Sequence, residues 1–552
     1  MNKGVTDVRL FKGPAIIYAI AGLYAVLVLL VFPNFTIDDA FITFRYAENL
    51  ANHGVLTWNV DEPPVEGYTG VFLPVVLALL MKHGVSPAVA AKTIGIASLF
   101  IGGFIIMVLL SGSGIRAAVT GIVLILYFGA PFAYVHALSG LETTLFSTAI
   151  LASILAMLRC LDPSGRHRFK DTTLLLSLLM VSLIRPEGFV LSTLFGLTVL
   201  LVKKRQGNNS VRFVVLGIAL YALPIVAYLV WKYSYYGQLL PNTFYAKAYE
   251  GNFFNPDNAI DFGKFVITYC AVVASACILL LFANRHAVRL EFSRALKEPL
   301  SPLQWTWIGA WLFVAVALFQ YMRTSLAMNF SSRFFFPFFP IFIMTSGLMF
   351  DRALTWTAQK AHGAWRAGVV IAAAVAVQIG LYALVLKHDI AYYRVYRQII
   401  EHAAVPAADF LKQNVPAREW LAVHSDAGAV PYYSKMKTVD FGGLNDKVLA
   451  AKPRPSEEER VNYFFAANPG AVLFTSVRWD TLDHDEEAKA IVEDPRFSRY
   501  TLVKKFSGTG SVFRWRPYFF MKERTDEYYY FLYVRKDLLP TKPAARLDTF
   551  AQ

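Results

Sequence analysis

Apolar stretches of bilayer-crossing length recur along the first 386 of this chain's 552 residues, and no other feature limits its fold so strongly. About 20 predominantly apolar residues span the hydrocarbon core as helix. The stretches read as spans are 14–33, 87–110, 116–137, 141–159, 172–184, 187–202, 211–234, 261–283, 303–322, 334–350 and 366–386. Two of them, 172–184 and 187–202, are short and flank Arg185-Pro-Glu-Gly188; they are either two spans meeting at one face or a helix broken by a polar elbow. The stretch 70–83 is too short to cross and is expected to lie in the outer interface. No small-residue cleavage site follows the first span, which reads as an uncleaved anchor.

Orientation comes from Lys and Arg in the loops. With the N-terminus in the cytoplasm, the outer loops hold only Arg45, Lys82, Arg185, Lys247, Arg323 and Arg333, and the inner loops hold the larger share. The net charge of +14 is therefore mostly topogenic, and no nucleic-acid partner is expected. Cys160, Cys270 and Cys277 lie in or beside spans, with no metal spacing and no external disulfide framework. Eleven spans place everything from 388 onward outside. Residues 1–387 then form a transmembrane module with a first outer loop at 34–86, and 388–552 form an extracytoplasmic α/β domain.

In that tail, strand-like runs appear at 420–424, 437–441, 471–475, 500–504, 511–515 and 528–533, with helical patterns at 390–413 and 456–467. Asp426-Ala-Gly428 follows the first run, and Asp440-Phe-Gly-Gly-Leu-Asn-Asp446 follows the second. Loops at strand ends carry binding groups as readily as they carry turn residues.

The charged and polar groups of the membrane region collect on the outer face: Asp38, Asp39, Arg45, Glu66, His136, Glu142, Arg185, Glu187, Lys247, Arg323 and Arg333. Such groups are expensive in a bundle and suggest function. A transporter would show ionisable residues at mid-span and repeats, and neither is evident. Asp38 and Asp39 precede Ala40-Phe-Ile-Thr-Phe-Arg-Tyr-Ala47, which suits an interfacial helix. One aspartate can cap that helix; the second is left for acid–base chemistry, and their repulsion raises one pKa as a base requires. Asp38 is favoured as the base, and Asp39, one residue nearer the helix, as its cap or as a residue that positions a ligand. His136 is either an anchor or a ligand, and Glu142 either a cap or a site residue. Arg185 either pairs with Glu187 or binds phosphate; Lys247, Arg323 and Arg333 add cations to the same face.

Taken together, the segments resemble the GT-C superfamily of membrane glycosyltransferases that use polyprenyl-phosphate sugars. The likeness is nearest to the terminal β-(1→2) arabinofuranosyltransferase family. It rests on Asp38–Ala47, Val65-Glu-Gly-Tyr-Thr69, Ser139-Gly-Leu-Glu-Thr-Thr144, Arg185–Gly188, Tyr236–Lys247, Arg333-Phe-Phe-Phe-Pro337, Asp426–Gly428 and Gly442-Gly-Leu-Asn-Asp446. The resemblance implies a catalytic aspartate in the first outer loop (Asp38 or Asp39) and a donor phosphate held by Arg185, Lys247, Arg323 and Arg333. The matching stretches add Arg45, Glu66, Tyr68, His136, Glu142, Glu187, Asn242, Asp426, Asn445 and Asp446 as substrate-binding candidates. Expected partners are a polyprenyl-phosphate sugar, an envelope glycan, lipid or protein acceptor, and the lipid bilayer of a bacterial inner membrane. Some members of the superfamily recruit a divalent cation through paired acids; no cofactor or metal is predicted here. The alternatives are a lipid-linked-sugar flippase and a non-catalytic, glycan-binding envelope scaffold.

Overall fold

The computed structural model describes residues 9–539 except 164–168, 208–209, 249–253, 284–298, 327, 359–362, 477, 483–485, 509–511, 514–524 and 527. Seven of its helices are long and apolar enough to cross a membrane: Gly13–Val31, Pro87–Gly112, Thr143–Leu161, Val211–Tyr236, Pro302–Tyr321, Phe330–Thr357 and Gly363–Asn414. Two bent pairs raise the number to nine: Ala117–Gly129 with Pro131–Leu138 (53°), and Pro256–Tyr269 with Ala271–Leu280 (73°). The first bend falls at Ala130, whose successor Pro131 disfavours helical backbone at the residue before it. The remaining two of the eleven expected spans are helices as well, but they fall short. Lys170–Ile184 has 15 residues, and Glu187–Arg205 ends in Lys203-Lys204-Arg205. Between them Arg185 is extended (φ −151°, ψ 147°) ahead of Pro186, which makes the polar elbow.

Phe72–Lys82 is a helix of 11 residues, about 16 Å long and too short to cross. It packs on Asp38–His53. The latter is not the interfacial helix that its apolar residues suggest. Residues 40–47 are all buried, with Phe41, Ile42, Phe44 and Tyr46 in one cluster with the tail's Leu421, Val423 and Tyr530. The helix that was to lie on lipid is instead enclosed between bundle and tail.

The tail carries a five-stranded sheet: β1 (Trp420–Val423), β2 (Lys437–Asp440), β3 (Ala471–Ser476), β4 (Tyr500–Ser507) and β7 (Tyr529–Arg535), in the order β2-β1-β3-β7-β4. β1 is parallel to β2 and β3, while β7 runs antiparallel between β3 and β4. A separate two-stranded ribbon joins β5 (Val512–Phe513) to β6 (Thr525–Asp526). Of the expected strand 511–515, residues 511, 514 and 515 lie outside the described residues. Alternation sends Leu421, Val423 and Leu473 to the bundle-side core and Ala422, Val472 and Phe474 to the opposite core. Helices Glu457–Ala467 and Glu486–Glu493 cover that far side.

No break separates bundle from tail. Helix Gly363–Ile399 continues through a π-helical turn (Ile400–Ala404) into Val405–Asn414, so the expected line at 387/388 falls inside one helix. The first span runs from the far end of the bundle to the end where the tail docks, because its exit leads directly to Asp38.

Candidate active site

Segments of the bundle and the tail converge around Asp38 and Asp39. Phe35, stacked on Tyr393 with ring centroids 4.1 Å apart, sets the turn after the first span. The next helix then starts with its two carboxylates in the first turn, where the helix dipole favours negative charge. Neither aspartate caps it: Ile37 occupies the N-cap position.

The two acids face different partners. Asp38 is 4% exposed, and both its oxygens are taken by tail amides: Gly428 N–H donates to Oδ2 (2.8 Å) and Ala429 N–H to Oδ1 (2.7 Å). Its own N–H donates to the Tyr396 hydroxyl at 2.9 Å. Burial, then the nearby Asp426 carboxylate, push Asp38 well above the ordinary carboxylate range against the pull of these amides. Asp39 points to Arg333, whose Nη1 lies 3.4 Å from Oδ2. The base favoured from sequence is therefore fully engaged in holding the tail, and the acid assigned to capping is the one among the cations. Among the described residues no three His, Cys, Asp or Glu side chains gather as a metal site.

Three of the four predicted cations surround Phe334: Arg185 at 5.7 Å, Arg333 at 5.6 Å and Lys247 at 6.0 Å from the ring centroid. They are not equally engaged. Arg185 forms a double contact with Glu187 (Nη2–Oε1 3.0 Å, Nε–Oε2 3.4 Å) and donates from Nη1 to Glu142 Oε1 at 3.0 Å. Tyr321 donates to Glu187 Oε1 at 2.7 Å, which completes a closed network. Arg333 is 5% exposed, yet among the described residues its Nε has no hydrogen-bond partner, and its second terminal nitrogen stands 3.8 Å from Glu142. Lys247 makes no ion pair among the described residues; burial lowers its pKa, opposed first by Asp39. Arg323 is placed differently, its guanidinium 6.0 Å from the ring of Phe319, which is 52% exposed.

Strained backbone precedes Arg333. Met328, Ser331 and Ser332 have φ of 65°, 43° and 55°, a region that residues with side chains seldom occupy. His136 Nε2 lies 3.0 Å from Ser331 O, and its Nδ1 is buried without a partner between aromatic rings. Facing a carbonyl, Nε2 carries the proton, so His136 is an anchor for the strained turn.

Of the other candidates, Arg45 and Asn242 fasten bundle to tail, and the contacts of the rest lie mainly within one or the other. Arg45 donates to Trp58 O (2.8 Å), Pro431 O (2.9 Å), Met436 O (2.8 Å) and Asn59 Oδ1 (2.9 Å), and its guanidinium stacks 4.3 Å from the Trp58 ring. Burial lowers its pKa to about 10. Glu66 pairs with Lys232 at 2.8 Å, and burial raises its pKa to about 7. Tyr68 shares a hydroxyl contact of 3.0 Å with Tyr236. Asp426 accepts from the Tyr528 and Tyr530 hydroxyls, each at 2.7 Å. Asn445 donates from Nδ2 to Asp440 Oδ2 (2.9 Å), and Asp446 accepts from Val448 N, Leu449 N and the Tyr463 hydroxyl. Asn242 binds three tail carbonyls.

Sequence reasoning missed Lys232, Tyr396, Tyr528 and Tyr530. Lys232 had a signal, since it is a cation inside the apolar stretch 211–234. The tyrosines had none, because only the docked tail brings them to the aspartates.

Residues 391–533 match a family profile described as "Domain of unknown function (DUF8728)". No curated protein matches the chain. Among solved structures, ArnT from Cupriavidus metallidurans in the apo state superposes with a TM-score of 0.56 at 13% identity, over 95% of this chain and 99% of that one. The same protein bound to undecaprenyl phosphate gives 0.54 at 12%, over 96% and 99%. The chain has a GT-C-like fold, a multi-pass helical membrane bundle with a C-terminal α/β domain.

Proposed function

We propose that this protein is a membrane glycosyltransferase that moves a sugar from a polyprenyl phosphate to an envelope glycan, lipid or protein acceptor on the outer side of a bacterial inner membrane. One observation carries the reading. Half-buried Lys247 and buried Arg333 stand beside Asp39; among the described residues Lys247 has no ion pair and the Arg333 Nε no hydrogen-bond partner, whereas every guanidinium nitrogen of Arg45 and Arg185 is engaged. Cations with bonding capacity to spare next to a carboxylate suit a site that receives an anionic group and moves a proton.

In the proposed reaction the donor phosphate meets Lys247 and Arg333, which draws Arg333 away from Asp39. Asp39 takes the proton of an acceptor hydroxyl, and that oxygen attacks the anomeric carbon. The bond from that carbon to the phosphate oxygen breaks, and the lipid phosphate leaves with its charge stabilised by the two cations. Arg185, neutralised by Glu142 and Glu187, holds the frame in which they sit. The ArnT complex with undecaprenyl phosphate supports a polyprenyl-phosphate lipid in this fold. Motif order supports a place beside the terminal β-(1→2) arabinofuranosyltransferases; the donor sugar is to be read from the cell.

The test has two arms. Purified protein should transfer sugar from a polyprenyl-phosphate donor, and a deletion strain should accumulate the donor lipid. Full envelope function in an Asp39→Asn, Lys247→Ala double variant would favour a scaffold instead.

A further inference from the structure

Lys247 closes a helix of only five residues, Asn242–Ala246, far too short to hold its own shape in water. Its first residue is tied on two sides. The Asn242 N–H donates to Glu66 O at 2.9 Å. Its side-chain Nδ2 donates to Gly443 O (2.8 Å), Leu444 O (3.1 Å) and Asp446 O (3.0 Å), all in the tail loop after β2. Asn242 is 1% exposed.

That loop is itself braced. Asp440 accepts from Gly442 N (2.9 Å), Asn445 N (3.0 Å) and Asn445 Nδ2 (2.9 Å). At the other end of the short helix, Ser325 N–H donates to Lys247 O at 2.8 Å. An amide NH₂ meets three carbonyls where a carboxylate would be repelled and a methyl would leave them unpaired.

We infer that Asn242 is a positioning residue that latches the Lys247 segment to the tail, so that the donor site is complete only when the tail is docked. The inference rests on the proposed role of Lys247 as a ligand of the donor phosphate. The test is a double-mutant cycle on the purified full chain, with undecaprenyl phosphate as the binding probe and melting temperature followed in parallel. Lys247→Ala should weaken binding by about tenfold or more, and Asn242→Ala by roughly fivefold. In the Lys247→Ala background, Asn242→Ala should add less than about twofold, because residues that act through one another are not additive. Multiplying effects overturn the inference, since Asn242 would then act on stability at large. Unchanged binding in Lys247→Ala alone overturns the donor-site reading instead. Should Asn242→Ala not fold, Asn445→Ala loosens the same loop from the tail side and is read against Lys247→Ala by the same outcomes.

Discussion

At the scale of single residues, the adjacent carboxylates separate into a clamp, Asp38, and the acid among the cations, Asp39, which the proposed reaction uses as its base. Asp39→Asn should lower kcat by about 10²–10⁴-fold, the usual loss of a general base, with undecaprenyl phosphate still bound. Asp38→Asn should act on folding, because its amide nitrogen cannot accept from the second tail N–H; a loss of about 1–3 kcal/mol is expected, read as a lower melting temperature. If Asp38→Asn abolishes turnover at an unchanged melting temperature, the roles are reversed. Asp440 offers a pH test. Burial raises its pKa from 3.8 to about 6, so the folded loop holds the proton more tightly than the unfolded chain does. Its contribution to stability is complete below pH 3.8 and is lost as pH rises through about 6. At about 1.4 kcal/mol per unit, the wild type should lose roughly 3 kcal/mol relative to Asp440→Asn across that window, measured by thermal unfolding of both. The acids, Lys247 and Arg333 were visible in sequence as outer-face charges. Which of them were saturated was not, because Arg185 meets Glu142 across 43 residues and Asp38 meets Gly428 across 390.

Among the elements, the Asp38–His53 helix departs most from its sequence pattern. Apolar residues at 41, 42, 44 and 46 read equally well as lipid-facing or buried, since composition cannot distinguish a lipid tail from another protein surface. The span positions were legible because apolar runs of that length have few other uses. The tail strands were legible as short apolar runs, buried on both faces in β1 and β3. The contact between tail and helix depends on Gly428, where a Cβ would stand 1.9 Å from Asp38 O and 2.6 Å from its Oδ2. Gly428→Ala should therefore open that contact. The expected result is a lower melting temperature and at least about a tenfold fall in transfer, since a misplacement of about 1 Å can cost 10²-fold. Parental activity and stability in that variant would show that the contact is dispensable.

For the molecule as a whole, the first span begins, at Arg9, at the end of the bundle opposite the tail. Lys203 pairs with Asp171, and Arg116 with Asp351, in helix-terminal segments away from the docking face. With those basic segments in the cytoplasm, a cysteine introduced at the exposed Ala451 should react with an impermeant reagent added outside intact cells, and labelling only after lysis would invert the topology. The helical rod from Gly363 to Asn414 has 52 residues, about 78 Å at 1.5 Å each, and it is the longest described helical stretch. Its first part is apolar enough to cross a bilayer and its last part packs against the tail, so in a membrane the rod would couple the two as a lever does. A thicker or thinner membrane changes its tilt, and the tilt is delivered to the seam where Asp38 meets Gly428. Acyl-chain length thus becomes a variable of catalysis: in vesicles of graded thickness, turnover should pass through a maximum, while a flat response would mean that the rod yields before the seam does.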